Sequence, residues 1–98
     1  MQVFNKILLA DFVRTHADTL NAVNRWLNIV ENTTFENHND LKNTFPSADY
    51  VGGGRYVFNI KGNKYRFVVI VVFVAETMEI RFCGTHAEYD KITDIENI

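Results

Sequence analysis

The run Arg55-Tyr56-Val57-Phe58-Asn59-Ile60-Lys61-Gly62-Asn63-Lys64-Tyr65-Arg66-Phe67-Val68-Val69-Ile70-Val71-Val72-Phe73-Val74 changes character midway. In its first part Tyr56, Phe58 and Ile60 alternate with Arg55, Val57, Asn59 and Lys61, the period of two expected of a strand with one buried face. Gly62-Asn63 has the composition of a two-residue hairpin turn. A turn at that point pairs Lys61 with Lys64, Ile60 with Tyr65, Asn59 with Arg66 and Phe58 with Phe67. One face then presents Tyr56, Phe58, Ile60, Tyr65 and Phe67 to a core. The other gathers Arg55, Asn59, Lys61, Lys64 and Arg66. Lysines directly opposite each other repel, which a solvated turn tolerates or an anionic partner relieves. Beyond Arg66 the chain is apolar on both faces, the pattern of a central strand with neighbours on both sides.

Working outward, Met78 to Cys83 reads as another strand, with Ile80 and Phe82 on one face and Glu79 and Arg81 on the other. Upstream, Gly52-Gly53-Gly54 reads as a flexible linker, since no helix follows to make it a phosphate-binding loop. Gln2-Val3-Phe4 is a short candidate strand. From Asn5 the apolar spacing turns helical through Leu8, Leu9, Phe12 and Val13, and it breaks near His16-Ala17. It resumes with Leu20, Val23, Leu27 and Val30, flanked by Trp26 and Ile29. Two consecutive amphipathic helices facing a sheet are predicted. Asn39-Asp40 suits the cap of a third, short helix that runs to Phe45 and stops at Pro46.

A length of 98 residues suits one domain, and a hydrophobic fraction of 47% is that of an ordinary globule. The longest apolar run, Phe67 to Ala75, falls well short of the roughly 20 residues that span a bilayer. The N-terminal stretch carries Asp11 inside an amphipathic pattern, unlike a signal peptide. A single cysteine, Cys83, lies in an apolar strand and reads as a buried, inert thiol of a cytoplasmic protein. The formal net charge of -2 does not announce a nucleic-acid binder. Its distribution is more telling, because Arg55 to Arg66 holds four basic residues and no acidic one. No metal-ligand spacing links His16, His38, His86 and Cys83, and no small-molecule cofactor motif is present.

One further stretch carries chemistry. Gly84-Thr85-His86-Ala87-Glu88-Tyr89-Asp90-Lys91-Ile92 opens with the Thr85-x-x-Glu88 spacing of a helix capping box. On such a turn His86 and Tyr89 share a face. An imidazole and a phenol side by side can move the protons of phosphodiester cleavage, and they can equally be packing at a sheet edge. Arginines and lysines aimed at the developing charge would supply the rest.

The hairpin sequence Val57 to Arg66, then Ile80-Arg81-Phe82, then Gly84 to Ile92, resembles in order and spacing the signature of HigB-type toxins, bacterial endoribonucleases of the RelE/ParE superfamily. Thr15-His16-Ala17-Asp18, Arg25-Trp26, Asp40-Leu41-Lys42 and Phe45-Pro46-Ser47-Ala48-Asp49 extend the likeness over nearly the whole chain. The resemblance implies an α+β, RelE-like fold: N-terminal helices on a small antiparallel sheet, closed by a short C-terminal helical turn. It also implies cleavage of mRNA on the translating ribosome by metal-independent attack of the ribose 2′-hydroxyl on the adjacent phosphate. The implied partner is a helix-turn-helix, HigA-like antitoxin. The residues this marks are Arg66, Arg81, His86 and Tyr89, expected in catalysis, and Asn59, Lys61, Lys64 and Lys91, expected in RNA binding, which Arg55 joins as part of the basic hairpin face. A second reading rests on two departures: no lysine lies along Leu27 to Asn32, and none follows Tyr65-Arg66 in the strand. In that reading the chain keeps the fold and the antitoxin and cleaves feebly or not at all.

Overall fold

The computed structural model describes residues 1–98. In chain order it has β1 (Gln2–Phe4), α1 (Lys6–Thr15), a 3₁₀ turn (Ala17–Thr19), α2 (Leu20–Glu31), α3 (His38–Thr44) and β2 (Asp49–Gly52). There follow β3 (Arg55–Ile60), β4 (Tyr65–Val72), β5 (Thr77–Thr85), α4 (His86–Asp90) and a final 3₁₀ turn (Ile95–Asn97). The five strands form one sheet in the order β1-β5-β4-β3-β2. The fold is α+β, and the sheet is mixed: β1 joins β5 in parallel, while the other three pairings are antiparallel. β4 is central, as its two-sided apolar sequence requires.

The hairpin register is the predicted one, with Ile60 opposite Tyr65, Asn59 opposite Arg66 and Phe58 opposite Phe67. The ladder ends there; Lys61 and Lys64 are joined only by one long backbone hydrogen bond, from the Lys64 amide to the Lys61 carbonyl at 3.5 Å, and do not continue it. Lys61 and Gly62 instead take left-handed backbone angles, φ 55° and 69°, so the turn occupies residues 61–64. The triple glycine is not a linker. Gly52 closes β2, a strand the sequence did not announce, and all three glycines have positive φ. At Gly53 a Cβ would lie 2.5 Å from the Glu96 carbonyl oxygen, so the close approach of the C-terminal segment also demands glycine.

A bulge corrects the reading of β5. Val68 faces Phe82 but Val69 faces Ile80, leaving Arg81 as the extra residue. Ile80 therefore points into the core, whereas Phe82 sits on the opposite face with Val68. One inserted residue exchanges the faces of everything beyond it.

The core lies between the helices and one face of the sheet. Leu9 and Phe12 of α1 and Val23, Trp26 and Val30 of α2 pack against Tyr56, Phe58, Ile60, Tyr65, Phe67, Val69, Val71, Met78 and Ile80. Trp26 meets Phe58 and Phe67 edge-on, each at 5.4 Å, so the largest side chain of α2 takes the centre of its stripe. The helix is rotated accordingly, and Leu20 is 48% exposed. α3 starts two residues earlier than predicted, because Asn37 rather than Asn39 accepts from the Asp40 amide.

The other face is only partly open. Val57 and Val68 are 2% and 0% exposed there, and the C-terminal segment folds back over it through hydrogen bonds from Arg55 and Arg81 to the Ile98 carbonyl. No helix is long and apolar enough to cross a membrane.

Candidate nucleic-acid interface

The site grows from the end of β5. Thr85 and Glu88 form the predicted capping box: Thr85 Oγ1 accepts from the Glu88 amide at 3.1 Å, and Glu88 Oε1 accepts from the Thr85 amide at 2.8 Å. Those bonds from Thr85 hold the Glu88 carboxyl below its ordinary value. The His86 amide donates to the Lys64 carbonyl at 3.2 Å, tying the first turn of α4 to the hairpin. The cap thus fixes α4, and α4 fixes two candidate side chains.

The ring of Tyr89 lies under the guanidinium of Arg66, 4.9 Å from its centroid, a cation–π contact. His86 Nδ1 lies 2.9 Å from Asp90 Oδ2. An ionised carboxylate can only accept, so Nδ1 carries the proton in this pair. Nε2 is then the ring nitrogen left to face a ligand. Asp90 was not among the predicted site residues, although its i, i+4 spacing from His86 was visible in the sequence.

Asn59 stands across the ladder from Arg66 and donates through Nδ2 to the Ser47 carbonyl at 3.3 Å. Asn59 Oδ1 and Arg66 Nε are buried and make no hydrogen bond within the protein. Most buried polar atoms are satisfied, so two such atoms on cross-strand neighbours mark a spot equipped for polar contacts.

Lys61 and Lys64 turn away from Arg66, toward the corner between α1 and α2. Lys61 Nζ reaches Asp18 Oδ2 at 2.9 Å, and Lys64 Nζ reaches it at 3.6 Å. The Tyr65 hydroxyl lies 3.3 Å from both carboxylate oxygens. The Lys61 hydrogen bond leads the effects that hold the Asp18 carboxyl below its ordinary value. Although the two lysines are not a ladder pair, both therefore meet an anionic partner within the chain, Asp18. His16, whose ring is 5.0 Å from that of Tyr65, lines one pocket with Cys83 and Glu88. The related tetrads Thr15-His16-Ala17-Asp18 and Thr85-His86-Ala87-Glu88 thus meet at the hairpin end of the sheet. Burial pushes the Cys83 thiol up to about 12, leaving it little nucleophilic character.

The remaining candidates lie apart from this cluster. Arg55 is level with Ile70, four positions along β4 from Arg66, roughly 13 Å. It donates to the Gly53 carbonyl at 2.6 Å and to Ile98 at 2.8 Å. Arg81, re-aimed by the bulge, donates to the same Ile98 carbonyl at 3.1 Å and pairs with Glu79 at 2.5 Å. Lys91 is exposed just beyond α4. The structure therefore gathers Arg66, His86 and Tyr89 with Asn59 beside them, sets Lys61 and Lys64 on the helix side of the same end, and draws Arg55 and Arg81 to the C-terminal segment.

Comparison with known proteins places this geometry in context. The family model for HigB toxins, described as the RelE-like toxic component of a toxin-antitoxin system, matches residues 19–92. The mRNA interferase toxin HigB of Escherichia coli K12 is 38% identical over 71 residues, covering 69% of this chain and 67% of that protein. The mRNA interferase HigB of Escherichia coli O6:H1 is 24% identical over 95 residues, covering 95% and 92%. An alternating hairpin, a central apolar strand and a capped terminal turn are thus arranged in a chain that belongs to the HigB toxin family.

Proposed function

We propose that this protein is an mRNA interferase, an endoribonuclease that cuts mRNA on the translating ribosome and is held in check by a helix-turn-helix, HigA-like antitoxin. The relatives' names as mRNA interferases support the reaction class. The observation that carries the site is the docking of α4 on the hairpin, which puts the Tyr89 ring against Arg66 and His86 on the same short helix.

The chemistry follows from these groups without a metal. His86 Nε2, freed by the Asp90 contact at Nδ1, takes the proton of the ribose 2′-hydroxyl as its oxygen attacks the adjacent phosphorus. Tyr89 gives a proton to the departing 5′-oxygen. Arg66 lies over the Tyr89 ring, where a guanidinium can meet the charge that builds on the non-bridging oxygens. The products are a 2′,3′-cyclic phosphate and a 5′-hydroxyl. Asn59, Lys61, Lys64 and Lys91 hold the RNA around this centre. Arg55 and Arg81 contribute positive charge along the second face, where both hold the C-terminal segment.

Expression without antitoxin should arrest growth, and primer extension should reveal new cuts within translated codons. Purified protein should cut a reporter mRNA in a translating extract treated with a chelator that spares ribosomes, and should not cut the same mRNA free in buffer. Tyr89→Phe keeps the ring against Arg66 and removes only the hydroxyl. Its expected loss is about 10²–10⁴-fold in cleavage, the usual reach of general acid–base catalysis. Full activity in that variant would leave Tyr89 as packing alone. Soluble protein that neither slows growth nor alters transcripts would favour the antitoxin-binding reading.

A further inference from the structure

Resting on the endoribonuclease reading, we propose that Asp18 is an internal stand-in for an RNA phosphate. It fills a two-lysine phosphate subsite at the hairpin turn and yields that subsite to the backbone of bound RNA. Three donors converge on the Asp18 carboxylate: Lys61 Nζ at 2.9 Å, the Tyr65 hydroxyl at 3.3 Å and Lys64 Nζ at 3.6 Å. A carboxylate and a phosphodiester offer the same face to such donors, two equivalent oxygens sharing one negative charge. The Tyr65 hydroxyl is a fixed donor because its ring is buried and packed edge-on by Phe12. The lysines are exposed ones, with 43% and 62% of their side chains open to solvent, and Asp18 itself is 41% exposed. Exchange of one anion for another therefore needs no opening of the core.

Two further features fit a subsite better than a simple tie. Lys61 holds a left-handed backbone, φ 55°, a conformation that lysine seldom adopts. Its ammonium also reaches the Asp18 backbone carbonyl at 3.2 Å, so the chain turns it fully toward this corner. The subsite is one strand end away from Arg66 and α4, since the Lys64 carbonyl accepts from the His86 amide. A phosphate held here would therefore belong to a nucleotide flanking the one that is cut. Asp18 lies one residue before the stretch that matches the family model.

The test uses the full chain and a short single-stranded RNA carrying 2′-O-methyl groups, which binds but is not cut. Asp18→Asn should bind this RNA roughly three- to tenfold more tightly at low salt, the range that two exposed ion pairs can withhold. Its plot of log affinity against log salt should steepen by about 0.7 for each lysine released to phosphate. The gain should vanish when Asp18→Asn is combined with Lys61→Ala and Lys64→Ala. Glu31→Gln removes the same charge at the far end of α2, beside Lys6, and should give no comparable gain. Unchanged or weaker binding by Asp18→Asn would make the contact a structural tie and overturn the proposal. So would an equal gain in the lysine-free background or in Glu31→Gln. If wild type and every variant ignore the RNA while remaining folded, the subsite proposal is overturned, whereas the endoribonuclease reading stands or falls by primer extension on translated mRNA.

Discussion

Tyr65 and Arg66 are consecutive on β4, yet they belong to two different environments. Tyr65 points into the helix-covered face, packs against Phe12 and His16, and has its hydroxyl on Asp18. Arg66 points to the other face, stacks on Tyr89 and keeps a buried Nε without a protein partner. The first face is closed: its large side chains are held edge-to-face, the arrangement aromatic quadrupoles prefer. The second face holds buried polar atoms without a hydrogen-bond partner at Arg55, Asn59 and Arg66, against one on the first face, Trp26 Nε1. Stability should reside in the first and activity in the second.

The largest test of that division is Arg66→Ala. Removing one preorganised donor from developing charge costs about 10²–10³-fold in rate, so cleavage should nearly disappear. The thermal midpoint should barely move, because a half-exposed surface change costs within about 0.5–1 kcal/mol. Primer extension and a melting curve on one preparation check both halves. An Arg66→Ala protein that melts early and still cuts would reverse the assignment of the faces.

Tyr65→Ala is the complement. Truncating a buried aromatic should cost about 3 kcal/mol or more, read from denaturant unfolding at constant slope. Phe67→Ala, at 0% exposure beside Trp26 and Phe12, should cost as much or more. Residual cleavage in Tyr65→Ala, measured well below its melting point, should fall far less than in Arg66→Ala. Equal loss in both would mean that Tyr65 also serves the reaction.

The same two faces explain what could be read from sequence. Strict alternation across Tyr56, Phe58 and Ile60, followed by Gly62-Asn63, pins the register, because a slip of one residue would expose three large side chains. The capping box was legible because both bonds lie within four residues. The bulge at Arg81 was not, since Phe82 is apolar and suits either face, so nothing in the pattern records the extra residue. β2 escaped notice because Asp49-Tyr50-Val51-Gly52 is short and ends in glycines that usually break strands. Of the candidate site, the pieces on α4 and the hairpin were visible as motifs. The Asp18 contact bridges 43 residues of sequence, and only the repulsion expected between Lys61 and Lys64 hinted at it. The pull of Arg55 and Arg81 toward Ile98 depends on the C-terminal segment folding back, which no local pattern encodes.

The smallest expected effect joins the two faces through the cap on α4. Glu88 has its carboxyl held below an ordinary value of 4.5, first by the Thr85 amide and then by the Thr85 hydroxyl. A group whose folded value is depressed stabilises the protein above its unfolded value, and that contribution is lost as pH falls through the folded one. The cap should therefore be at full strength at neutral pH and weaken below about pH 4.5. Its charge is exposed, so solvent screening keeps the gain small. Glu88→Gln preserves an oxygen that can accept from the Thr85 amide and removes only the titration. Its stability should match wild type only once pH has fallen below the depressed folded value, and fall slightly behind at pH 7, flattening the acid limb of the curve. The limb should not flatten completely, because Asp18, depressed chiefly by Lys61, loses its contribution in the same direction. Thr85→Ala should instead lose about 1 kcal/mol, the usual cost of an N-cap, with much of that loss persisting in acid. Chemical unfolding of the three proteins across this pH range separates charge from cap. If Glu88→Gln also slows cleavage at pH 7 without unfolding, the position of α4 on the hairpin, and with it the spacing of His86 and Tyr89 from Arg66, is sensitive to this one hydrogen bond.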